Sequence, residues 1–174
     1  FRGSSLLLGF CIVTMMVPTQ MGIIPLYMLM ARWGFAGHLQ SVILPTLVTA
    51  FGLFFMRQYL TTAVPDELIE AAFVDGAGSF RVFWSVVVPA ARPAMAVLGM
   101  LTFLTTWNDF FWPIIALNSQ NPTVQVAFQS LATGYAPQQS VIMAGTLYGT
   151  VPVLIVFAVL GRHIVGGIMQ GAIK

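Results

Sequence analysis

Four of the five acidic side chains of this sequence fall within ten residues: Asp66, Glu67, Glu70 and Asp75. Carboxylates this dense could bind a metal, exchange protons or meet a basic protein surface. No Cys or His shares the segment, so the spacing of a metal site is missing. His38 and His163 fall on opposite sides of the topology derived below and cannot join in one site. No GxxxxGK[ST] phosphate loop occurs, so the chain is not itself an ATPase. HExxH is also absent, and no Ser/His pair shares a depth. The remaining use is recognition: a short acidic rim that a basic partner would cover. The competing use is an amphipathic connector at the lipid headgroups. Such connectors usually carry Lys and Arg on the polar face, and this one opens on acids.

The fifth acid, Asp109, stands apart in Trp107-Asn108-Asp109-Phe110. A charge near a membrane interior is costly and marks a functional candidate. Trp107 and Trp112 beside it fit an interfacial aromatic belt, which gives Asp109 a structural reading as well. Trp107, Asn108 and Asp109 are the candidates for lining a cavity, because an aromatic ring can stack on a solute while an amide and a carboxylate pair with its polar groups.

The elements that position these groups follow from composition. Of 174 residues, 58% are hydrophobic and 7% charged, against roughly 25% charged in soluble domains. No charge falls between Gly3 and Ala31, Trp33 and Met56, or Phe110 and Gly161. Four spanning helices are expected, at about 5–29, 39–60, 94–117 and 140–165, each near the 20 residues a bilayer needs. Pro18 and Pro25 are expected to bend the first. An even number of crossings puts Arg2, Arg57, Arg81, Arg92, Arg162 and Lys174 on one side and Arg32 alone on the other. The positive-inside rule makes the first side cytoplasmic, with both ends of this sequence and residues 65–93. The loops at about 30–38 and 118–139 then face out, the second uncharged and without evident secondary structure. A pI near 9.0 comes with no basic cluster, so nucleic-acid binding has no support. Cys11 is alone and offers no disulfide within the chain.

Within 65–93, Pro65 suits the first position of a helix. Asp66, Glu67 and Glu70 then sit in its opening turns, toward the positive end of the dipole. Ile69, Phe73 and Gly76 or Ala77 share the inward face. Gly76 and Gly78 end the helix. Ser79 is expected to cap a second helix through Phe80, Phe83 and Val87, and Pro89 to stop it. Gly145 and Gly149 form a GxxxG pair suited to close helix packing.

Glu70-Ala71-Ala72, with Asp75-Gly76-Ala77 and Val88-Pro89 following, resembles the EAA loop of ABC importer permeases. Val17-Pro18, Ile24-Pro25-Leu26-Tyr27, Trp107-Asn108-Asp109-Phe110, Val151-Pro152 and Gly171-Ala172-Ile173-Lys174 support the carbohydrate branch, that of the maltose-transporter G subunit. The resemblance implies an all-α integral membrane bundle of the type I importer fold. It implies six helices in family members, the first two of them missing from this sequence. It implies a bacterial inner-membrane location, a second permease subunit, a dimer of ATPase subunits that uses the ATP, and an extracytoplasmic sugar-binding protein. No cofactor or metal is implied for this chain. Glu70, Ala71, Ala72, Asp75, Gly76, Ala77 and Pro89 would form the ATPase-docking loop, and 118–139 would reach the binding protein. Asn121–Val126 and Gly161–Lys174 also resemble cellobiose and β-glucoside permeases of actinobacteria. Permeases for amino acids, peptides or phosphate share the loop and remain alternatives within the class. A secondary transporter is the alternative outside it, and would need coupling charges along the helices that are missing here.

Overall fold

The computed structural model describes residues 2–133 and 138–172, with 162–172 by their backbone alone. The side chains of Arg162 and His163, most of the Gly161–Lys174 phrase and loop residues 134–137 therefore lie outside the description. The described chain is helical, apart from one isolated backbone bridge between Gly37 and Leu117.

Helix α1 (Ser4–Thr14) ends in a tightening turn, where Met15, Met16 and Val17 bond back three residues. Pro18 cannot extend that ladder and caps a 3-10 turn (Thr19–Gly22) that leads into α2 (Ile23–Arg32). The axes of the two halves differ by 92°. Of the two prolines expected to bend this span, Pro18 makes the break. Pro25 is the third residue of α2, where an N–H has no partner to lose.

The second expected span is also divided, into α3 (Gln40–Thr46) and α4 (Ala50–Ala63). The Thr49 hydroxyl restarts the ladder by accepting from the Gly52 N–H at 3.0 Å. After α5 (Asp66–Val74) the chain forms one unbroken helical run of 29 residues, Ser79–Trp107. It comprises α6 (Ser79–Val82), a π-helical turn (Phe83–Val87) and α7 (Val88–Trp107). Pro89 therefore does not stop the second helix, contrary to expectation. The wider π turn just ahead removes the clash between the proline ring and the carbonyl four residues back, and the run continues through Pro93.

At its far end the run stops at Trp107, short of the expected Leu117. Asn108 caps it, and α8 (Phe111–Ala116) follows as a separate short helix. The loop expected to be plain contains α9 (Val124–Ala132), and α10 (Gln139–Ala172) closes the fold. Helix α7 is the central element: α4 and α10 both pack on it, and α1 leans on α4. Among the described residues, Gln40–Ala63, Ser79–Trp107 and Gln139–Gly161 are each long and apolar enough to cross a membrane. The bent α1–α2 pair adds a fourth crossing if it forms a single span.

Candidate functional site: an acidic helix and a cleft at the opposite end

Helix α5 begins at Asp66, with Pro65 in an extended conformation at the cap rather than inside the first turn. Asp66 and Glu67 occupy that turn, where carboxylates meet the unpaired N–H groups. At the other end the Gly76 N–H donates to the Phe73 carbonyl and the Ala77 N–H to the Ala72 carbonyl, each at 3.0 Å. This pair of bonds is a Schellman stop, and it places Gly76 in the left-handed region with φ +78°. Gly78 is extended and takes the cap position expected for Ser79, which becomes the first residue of α6.

The residues expected to dock a partner divide into two sets. Glu70, Ala71, Asp75 and Gly76 are exposed, while Ala72 and Ala77 are half-buried. Ala72, Asp75 and Ala77 join Arg81, Val82 and Ser85 around a recess of about 200 Å³ where α5 crosses the next helix. Pro89 is half-buried beyond the π turn, away from α5. Phe73, expected to face inward, is 48% exposed, and Val74 is 87% exposed. Phe80 and Trp84 are also exposed and stack edge to face at 6.2 Å. The surface is thus acidic at one edge and aromatic and aliphatic beside it.

The Ser79–Trp107 run, at 1.5 Å per residue, is about 43 Å long, against a hydrocarbon core of about 30 Å. One end carries α5 and its glycine turn, and the other leads to Asp109. Of the three cavity candidates, Asp109 lines the cleft described below. Trp107 turns to α10, donating its Nε1–H to the Gly149 carbonyl at 3.1 Å. The Asn108 Nδ2 group donates to the Leu104 carbonyl at 2.8 Å, within its own helix. Trp112 is not an aromatic-belt residue: it is buried, and its Nε1–H donates to the Ser41 carbonyl at 3.0 Å. That carbonyl lies four residues before Pro45, which has no N–H to give it, so the indole supplies the missing donor.

Asp109 is half-buried beside a cleft of about 420 Å³ between the start of α4 and the last turns of α7. Thr46, Thr49, Phe51, Leu101, Thr102, Thr105 and Thr106 line the rest. None of these threonines was singled out from sequence. The signal was available: Thr102, Thr105, Thr106 and Asp109 recur at i, i+3, i+4 and i+7, one face of a helix. Hydroxyls at that spacing commonly bond their own backbone, so the pattern alone does not indicate a cleft.

Several helices able to cross a membrane, a span broken at Pro18 and a polar loop anchored to a long helix define a multi-pass membrane protein. Residues 1–170 match the family of binding-protein-dependent transport system inner membrane components, and the chain belongs to it. Among its relatives is the lactose transport system permease protein LacG of Rhizobium radiobacter, 37% identical over 94% of this chain and 59% of that protein. The arabinooligosaccharides transport system permease protein AraQ of Bacillus subtilis is 29% identical over 100% of this chain and 62% of its own length. The sn-glycerol-3-phosphate transport system permease protein UgpE of Yersinia pestis is 32% identical over 91% and 57%. The chain thus spans about three-fifths of the curated relatives it matches. A crystal structure of a bacterial ABC transporter involved in import of the acidic polysaccharide alginate superposes with TM-score 0.70 at 24% identity. The match covers all of this chain and 63% of that one, and it shows the fold: that of an ABC importer permease.

Proposed function

We propose that this chain is the transmembrane permease subunit of an ATP-driven, binding-protein-dependent sugar importer. ATP is hydrolysed by a separate ATPase dimer, and a second permease subunit and an extracytoplasmic sugar-binding protein complete the machine. The fold sits in a bacterial inner membrane with residues 65–93 on the cytoplasmic side. Glu70, Asp75 and the neighbouring apolar side chains face the ATPase, and Gly76 fixes the turn between the two coupling helices.

The observation that carries this reading is mechanical. An exposed, acid-led helix is joined through one glycine turn to a helical run long enough to cross the membrane. Displacement of α5 is transmitted along that run to the cleft at its far end. A partner drives such a motion only through differential affinity for the two positions, which nucleotide-dependent closure of an ATPase pair supplies. Kinship with permeases for lactose and arabinooligosaccharides supports sugar as the cargo.

Co-purification tests the reading. The full-length gene is expressed with its partner permease and ATPase, and wild type is compared with Glu70→Ala and Gly76→Pro. The ATPase should follow the wild type and be lost or weakened in both variants, while the partner permease stays bound in all three. Equal ATPase recovery throughout would remove α5 as the coupling element. Cellobiose, lactose and an arabinooligosaccharide form the first uptake panel.

A further inference from the structure

The cleft beside Asp109 lies at the opposite end of the Ser79–Trp107 run from the coupling surface, and nothing in the docking scheme uses it. We propose that it is where this subunit touches the transported solute, and that Asp109 makes it select a neutral sugar over an acidic one. The inference rests on the importer reading above.

The chemistry follows from what lines the cleft. An ionised carboxylate only accepts hydrogen bonds, with two oxygens free to take paired hydroxyl donors. Among the described residues no side chain donates to Asp109. The Thr105 hydroxyl already donates to a carbonyl of its own helix, so it offers lone pairs and a methyl. Thr102 and Thr106 are exposed, and no hydrogen bond engages their hydroxyls among the described residues. Phe51 and Leu101 supply an apolar wall suited to the C–H face of a pyranose. The volume of about 420 Å³ falls within the usual range of small-molecule pockets.

Charge decides between sugar classes. Among the described residues no Lys, Arg or His lines the cleft, so a phosphate or uronate would meet the carboxylate without a counter-charge there. Water reaches this largely exposed lining and screens the repulsion, which leaves a modest penalty against the acidic solute. The partial positive charge at the start of α4 offsets it only in part, because Thr49 already occupies the Gly52 N–H there. A lipid chain in the cleft would leave the carboxylate facing hydrocarbon, a costly arrangement.

The test is equilibrium binding of labelled cellobiose to the nanodisc-embedded complex of full-length permease, partner permease and ATPases. The binding protein is omitted so that its own affinity does not dominate. Asp109→Asn should raise Kd about 10- to 100-fold, the loss expected for a hydrogen bond to a charged group. The same substitution should narrow the preference for cellobiose over its uronic acid counterpart. Thr102→Val with Thr106→Val should raise Kd about 3- to 10-fold, as for neutral bonds. Unchanged Kd and unchanged preference in assembled complexes would overturn the proposal and leave the cleft to a partner helix or lipid. If Asp109→Asn fails to assemble, Thr106→Cys in a Cys11→Ser background decides. Protection of that thiol from a reagent by cellobiose supports the site, and equal labelling with and without sugar overturns it. Absence of ATP-dependent sugar uptake by the wild type, by contrast, would overturn the importer reading and this inference together.

Discussion

The two ends of the Ser79–Trp107 run are built differently. At the Trp107 end, α2, α3 and α8 enclose a cluster of Met30, Val42, Trp112 and Ala116, with Ile23, Leu26, Phe35 and Leu117 against it. Its polar groups are paired inside the chain. Ser41 is fully buried and donates to the His38 carbonyl at 2.7 Å, and the Gly37 N–H donates to the Ala116 carbonyl at 2.8 Å. The Asn118 side chain accepts from the N–H groups of Gln120 and Asn121, closing the loop beyond. At the other end, α5 contributes no buried residue, and its acids and much of its apolar surface face outward. Burial and paired hydrogen bonds fix a shape before any partner arrives, whereas an exposed mixed surface gains its contacts when one does. The comparison teaches that stability is concentrated where the fold must hold a frame, including the frame around the Asp109 cleft, and that a surface left open for a protein partner lies at the other end.

The largest expected effect attacks the frame. Trp112→Ala removes a buried ring and leaves the Ser41 carbonyl without a donor, and should cost about 3–5 kcal/mol. It should lower the detergent Tm sharply, whereas Glu70→Ala should shift it by less than about 0.5 kcal/mol equivalent. Similar Tm losses for the two would erase the distinction between the ends.

A smaller effect is expected where α9 meets α10. A Cβ on Gly149 would stand 2.6 Å from the Phe128 ring, and one on Gly145 would stand 3.1 Å from it. The GxxxG pair thus serves packing, as its spacing suggests: an aromatic of the loop helix covers the side where a Cβ would stand, while Trp107 of the long run meets the Gly149 carbonyl. Gly149→Ala should cost about 1–3 kcal/mol by overpacking. Its mark should be faster hydrogen exchange in 124–132 with residues 65–87 unchanged. Protection of α9 equal to wild type would show that the ring moves aside freely.

The smallest effect sharpens the other side of the comparison. Gly76→Ala puts a Cβ in the left-handed region, where nothing lies within 4 Å, so the penalty is conformational alone. About 1–2 kcal/mol is expected, felt in the α5–α6 turn. Hydrogen exchange at 72–80 should quicken while the global Tm hardly moves. A fall in Tm matching that of Trp112→Ala would mean the α5–α6 turn is part of the frame.

Sequence by itself determined what rests on local chemistry and bulk composition. Scarcity of charge made membrane helices unavoidable, since a backbone in lipid must bond to itself. The Asp66-Glu67 start and the left-handed Gly76 are written within a few residues of where they act, and the turn forms as that spacing implies. Tertiary structure alone decided which groups meet across long separations. Trp112 and Ser41 are 71 residues apart, and Trp107 and Gly149 are 42 apart. Each pairing withdraws a tryptophan that sequence had placed elsewhere, at the lipid interface or in the cavity. The π turn that carries the helix past Pro89 likewise depends on the run it belongs to. The cleft needed two elements at once: a threonine face on α7 means little until the broken start of α4 stands opposite it. Periodicity reports which residues share a face, but only packing determines what that face encounters.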